Sequence, residues 1–68
     1  MIRWLYLCLA IVDGKPHSRN GQRIELPWST WDAFDYVDRL GEEGWELVGV
    51  TQIQNTNTTW LYFKLPRE

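Results

Sequence analysis

The run Leu40-Gly-Glu-Glu-Gly-Trp-Glu-Leu-Val-Gly-Val50 constrains this chain more than any other segment. Within it an amphipathic stretch closes on glycine, a tryptophan marks the corner, and a segment with strand character begins. Gly44 suits the left-handed position that ends many helices. A short chain built around such a corner is committed to mixed α and β structure. The run carries no nucleophile and no phosphate-binding loop, so it speaks to fold rather than to chemistry.

The residues before the corner read as a helix. Ser29 is a good N-cap, and Asp32 stands three residues later, where a capping-box partner belongs. Trp28, just outside that cap, is placed to staple onto Ala33. At a helical turn of about 100° per residue, Ala33, Val37, Leu40 and Gly44 share one stripe, flanked by Phe34 and Tyr36. Asp32, Asp35, Asp38, Arg39, Glu42 and Glu43 fill the opposite arc. That separation predicts a helix lying on a sheet. Gly41 and Gly44 lie near the apolar stripe, where a missing side chain permits close backbone approach.

Alternation predicts the strands. From about Ile2 to Val12, Leu5, Leu7, Leu9 and Ile11 alternate with Trp4, Tyr6, Cys8 and Ala10. This apolar run falls well short of the roughly 20 residues a membrane span needs. It also lacks a small-x-small cleavage site before Asp13-Gly14, so it reads as a strand rather than a signal peptide. Past the corner, Glu46 to Gln54 forms a strand and Asn55-Thr56-Asn57 a turn. Thr58 to Leu65 forms the last strand, with Leu61, Phe63 and Leu65 against Trp60, Tyr62 and Lys64, and Pro66 ends it. Residues Asp13 to Gln22 read as a loop by composition, and Arg23 to Leu26 as an optional short strand before Pro27. The expected fold is α+β: a small antiparallel sheet of three to four strands, order β-(β)-α-β-β, with one helix packed on one face. It forms a single domain over residues 1–68 with a loop or hairpin insertion at 13–27. Which face of strand 46–54 meets the helix is left open.

Residues 40–48 and the closing Phe63-Lys64-Leu65-Pro66 together resemble a family of small bacterial domains of unknown function. Their signature is an L-G-x-E-G-W-E-L-V helix-to-strand run and a last strand ending in aromatic-Lys-x-Pro. The resemblance implies a β-α-β-β core and carries over no catalytic residue. The Asp13–Pro27 segment is longer than that pattern.

With 68 residues the core is small, and chains of this size often depend on disulfides, metals or self-association. One cysteine excludes an internal disulfide, and Cys8 with the single His17 cannot complete a four-ligand zinc site. Self-association is the remaining aid. The formal charge of −2 argues against a general nucleic-acid binder, and the lone cysteine accords with a cytoplasmic setting. No cofactor and no membrane partner are expected.

Neither candidate catalytic group is convincing. Glu42, Glu43 and Glu46 flank Trp45 but belong to a solvated helix end, without the burial that raises a carboxyl pKa. Cys8 lies mid-strand and His17 in the loop, with no residue to orient them as a nucleophile–base pair. The chain is read as no enzyme. Two surfaces remain. If the leucines meet the helix, Trp4, Tyr6, Cys8, Trp60 and Tyr62 point the other way and form an aromatic patch. That patch suits a homodimer, another protein or a stacked base, or a cover formed by the 13–27 insertion with Ile24 and Trp28. Trp31, off the core stripe, is a second candidate for partner contact. Lys15, His17, Arg19 and Arg23 make a basic loop that is either solvated or holds a phosphate. The expected function is a small non-enzymatic interaction module that self-associates or binds a partner through its aromatic sheet face. The alternative is a small-ligand, nucleotide-like binding or sequestering protein that uses the surface aromatics and the basic loop.

Overall fold

The computed structural model describes residues 2–25, 27–52, 54 and 56–67. Leu26, Ile53 and Asn55, which the sequence assigns to a strand end, a strand and a turn, lie outside them. The elements in order are β1 (Arg3–Val12), β2 (Lys15–Arg19), β3 (Gln22–Arg23), a 3-10 turn (Trp28–Thr30), α1 (Ala33–Glu42), β4 (Glu46–Gln52) and β5 (Thr58–Arg67). The strands form one sheet of five in the order β3-β2-β1-β5-β4, every neighbouring pair antiparallel. The α+β class and the single helix hold, but the sheet has five strands rather than three to four.

The extra strand, β2, comes from the segment read as loop, and the optional strand appears as β3, shifted earlier so that it ends at Arg23. Asp13 and Gly14 both take positive φ, 52° and 76°, and so do Asn20 and Gly21, at 51° and 83°. Positive φ at both central residues is the pattern of two-residue hairpin turns whose twist suits flanking strands. Val12 therefore pairs with Lys15, and Arg19 with Gln22. The Lys-Pro-His-Ser-Arg strand shows no apolar alternation, which hides it in the sequence. Only its Pro16 is buried, beside its register partner Ile11, and a bulge leaves His17 unpaired in the ladder.

Strand β5 also runs past Pro66 to Arg67. Pro66 pairs with Trp4, but β4 begins opposite Lys64, so no strand borders that outer side where an N–H donor would be needed.

The helix starts later than the cap signature suggests. Asp32, not Ser29, is the N-cap: its carboxylate accepts from the backbone N–H of Phe34 at 3.0 Å. Ser29 lies within the preceding 3-10 turn. That turn is held by Thr30, whose hydroxyl donates to the Pro27 carbonyl at 2.6 Å. The backbone N–H of Ala33 donates to the Gly14 carbonyl, fastening the helix start to the β1–β2 turn.

Leu7, Leu9 and Ile11 of β1, Phe63 of β5, Ile24, and Tyr36 and Leu40 of α1 form the buried core. Trp28, Ala33, Val37, Trp45 and Leu61 pack against it. Full burial of such a side chain stabilises by about 1.5–3 kcal/mol, so a cluster this small carries most of the folding free energy. Leu47 pairs with Phe63 and Val50 with Leu61, so these β4 residues stand on the helix side of the sheet. The helix approaches β2 more closely, and both residues remain about half exposed. No helix among the described residues is long and apolar enough to cross a membrane.

Candidate functional site

Register decides which aromatics share a face. Tyr6 pairs with Lys64, Cys8 with Tyr62, and Ala10 with Trp60. Directly paired residues point to the same side of an antiparallel sheet. Trp4, Tyr6, Cys8, Trp60 and Tyr62 are thus gathered on the face opposite the helix. No second layer covers that face among the described residues. Tyr6 is 69% exposed, while Trp4 and Tyr62 are nearer 40%. Cys8 and Trp60 are half-buried, and the small Ala10 beside Trp60 is almost fully enclosed.

Polar contacts hold these rings in place. The Lys64 ammonium lies 4.3 Å from the centroid of the Trp4 ring and 3.4 Å from the Glu46 carboxylate. The Tyr62 hydroxyl is 3.1 Å from Thr51 Oγ1. Tyr62 lies across from Gly49, where even an added Cβ would stand 3.6 Å from the ring. A cation over a ring face and a hydroxyl–hydroxyl bond restrict rotamers, leaving less entropy to lose when a partner arrives. Burial pushes the Cys8 thiol above its ordinary pKa, so it stays protonated at neutral pH. Its backbone is tied on both sides: Cys8 N–H donates to Asn20 Oδ1 at 2.9 Å, and Asn20 N–H donates to the Cys8 carbonyl at 2.8 Å. Asn20 in this way extends the ladder beyond the end of β2.

The remaining candidates lie elsewhere. Trp31 sits on the helix side, edge-on to Trp28 at 4.9 Å, and borders the acidic helix face formed by Asp32, Asp35, Asp38 and Glu42. It is not part of the aromatic patch. The insertion does not cover the patch either, because Ile24 and Trp28 pack into the core beneath the helix. Of the basic residues, Lys15, His17 and Arg23 border one shallow cavity of about 230 Å³, and Arg19 lies outside it. Lys15 donates to the Thr30 carbonyl at 3.3 Å, His17 occupies the bulge, and Arg19 points under the helix, donating to the Tyr36 hydroxyl at 3.3 Å. Arg19 and the surface aromatics therefore stand on opposite sides of the sheet, and a base stacked on the aromatics is out of its reach.

Sequence reasoning missed a groove between the β2–β3 hairpin and α1, about 350 Å³ in volume, lined by Arg19, Arg23, Tyr36 and Arg39 among others. The Asn20-Gly21 pair is the signal that would have found it, since a tight hairpin there turns Arg19 toward the helix. Among the described residues no group of three or more His, Cys, Asp or Glu is placed to hold a metal ion. No protein-family model, curated protein or solved structure matches the chain.

Proposed function

We propose that the protein is a small, non-enzymatic interaction module that forms a homodimer by packing the aromatic sheet faces of two copies together. The observation that carries this reading is the uncovered, aromatic side of the sheet. Exposed apolar patches beyond a few hundred Å² mark interaction sites on soluble proteins. Two ten-residue strands at the centre of the sheet give a face about 33 Å long. With neighbouring strands about 4.8 Å apart, the five strands together present a flat face of roughly 500 Å², somewhat below the roughly 800 Å² each partner contributes to a standard interface. Lys64, the cation that the described residues place against the patch, is paired with Glu46, which limits like-charge repulsion between two such faces. Tyrosine and tryptophan are the residue types that anchor such interfaces. A cytoplasmic setting suits the single unpaired thiol.

Light scattering on the intact chain at micromolar concentration tests the reading. The wild type is expected at twice the chain mass, and Trp4→Lys with Tyr6→Lys at the monomer mass with an unchanged far-ultraviolet spectrum. A monomeric wild type across that range overturns the proposal.

A further inference from the structure

The hairpin–helix groove lies on the other side of the sheet from the aromatic face and is independent of it. Arg19 forms its floor. This guanidinium is half-buried among Leu9, Ile24, Tyr36 and Leu40, yet no carboxylate is in ion-pair range of it among the described residues. With no carboxylate beside it, the guanidinium keeps most of its five N–H donors available to a ligand. Among the described residues the Arg19 side chain bonds the Tyr36 hydroxyl, which accepts from Nη1. A hydroxyl that accepts still has its own proton to donate, and polarisation by a cation strengthens that donor. A planar fork and an O–H, both with donor capacity to spare, consequently line one opening.

The rim adds to this. Arg39 is stacked 4.5 Å above the Trp28 ring and sits 3.6 Å from Glu43, which fixes its position and neutralises that glutamate. Arg23 and Glu25 complete the edge, giving three arginines against two glutamates. This balance favours a group of one or two negative charges over a polyanion. The volume is at the small end of the roughly 300–1,000 Å³ typical of ligand sites.

We infer that this groove binds the oxyanion of a small ligand, a phosphate or carboxylate group, with Arg19 and the Tyr36 hydroxyl as its seat and Arg39 and Arg23 on the rim. The arginine fork matches two oxygens of either group, and the hydroxyl supplies a third hydrogen bond.

The test is a nuclear magnetic resonance titration of the intact protein with inorganic phosphate and, separately, succinate, at constant ionic strength in chloride. Saturable shifts are expected at the Arg19 side chain and around Tyr36, with Lys15 unmoved. Saturation by phosphate alone assigns a phosphate ligand, and by succinate alone a carboxylate. Arg19→Gln is expected to weaken binding by about tenfold or more, and Tyr36→Phe, which keeps the core filled, by about fivefold. Shifts that never saturate with either anion overturn the inference, as does unchanged affinity in the Tyr36→Phe protein. The result does not depend on oligomeric state, so failure of dimerisation and failure of this site are separately visible.

Discussion

Gly44 lies directly beneath Leu65: a Cβ built on it would stand 3.0 Å from Leu65 Cδ1, and its φ is +99°. The two residues close the corner between α1 and β5. Leu65 Cδ1 is the far end of a flexible side chain and must give by only a few tenths of an ångström, so backbone strain is the larger obstacle. Gly44→Ala is expected to cost about 1–3 kcal/mol. Gly41 is the control. It was expected to permit close approach, but nothing stands within 4 Å of its Cβ position. Gly41→Ala in this helical site is therefore expected to stabilise by about 0.5–1 kcal/mol. Urea denaturation of the two variants measures both, and equal effects would contradict the geometry.

The start of the helix can be checked in the same way. Loss of the Asp32 carboxylate frees the Phe34 N–H, and Asp32→Ala is expected to cost about 1 kcal/mol. Ser29→Ala should stay within about 0.5 kcal/mol, since that side chain caps nothing. The reverse order would restore Ser29 as the cap.

Two apolar residues of α1 should behave oppositely. Leu40 is fully buried, and truncation to alanine is expected to cost about 2–5 kcal/mol, enough to unfold much of so small a domain. Phe34 is 79% exposed, and Phe34→Ala should change stability by less than about 0.5 kcal/mol. Thermal melts followed by circular dichroism separate the two.

Cys8 supplies a pH dependence. Burial raises its thiol pKa in the folded chain, so the unfolded chain ionises first as pH rises. The contribution of this thiol to stability is present in full below the free-thiol pKa and is lost above it. Alkylation by iodoacetamide at neutral pH is expected to be slower than for an unstructured cysteine peptide. Equal rates would show that the folded chain leaves the thiol ionising as a free one does.

Much of the fold was legible because it rests on local rules. The two-residue alternation of β1 and β5 sorted leucines from aromatics before any register was known, and pairing of Leu7 with Phe63 and Cys8 with Tyr62 kept that sorting intact. The helical stripe picked out Leu40. It underrated Tyr36, which is buried only because Arg19 and the hairpin approach that flank. The Asp13-Gly14 and Asn20-Gly21 pairs were turn signals in plain view. Their meaning was masked because the strand between them is polar and contains proline, and its ladder bonds are backbone bonds that side-chain patterning does not record.

What the sequence determined by itself is therefore the periodic part: the class, the central strands, the helix and the membership of the aromatic set. The tertiary structure alone decided where non-local partners lie. It moved the N-cap from Ser29 to Asp32, because Ala33 N–H is engaged by Gly14 and Phe34 N–H by the Asp32 carboxylate. It also took Arg19 out of a supposed basic loop and set it against Tyr36, 17 positions away. Periodicity is a property of neighbours along the chain. The groove, the uncovered face and the cap depend on which distant segments share a turn, and only the folded chain brings those together.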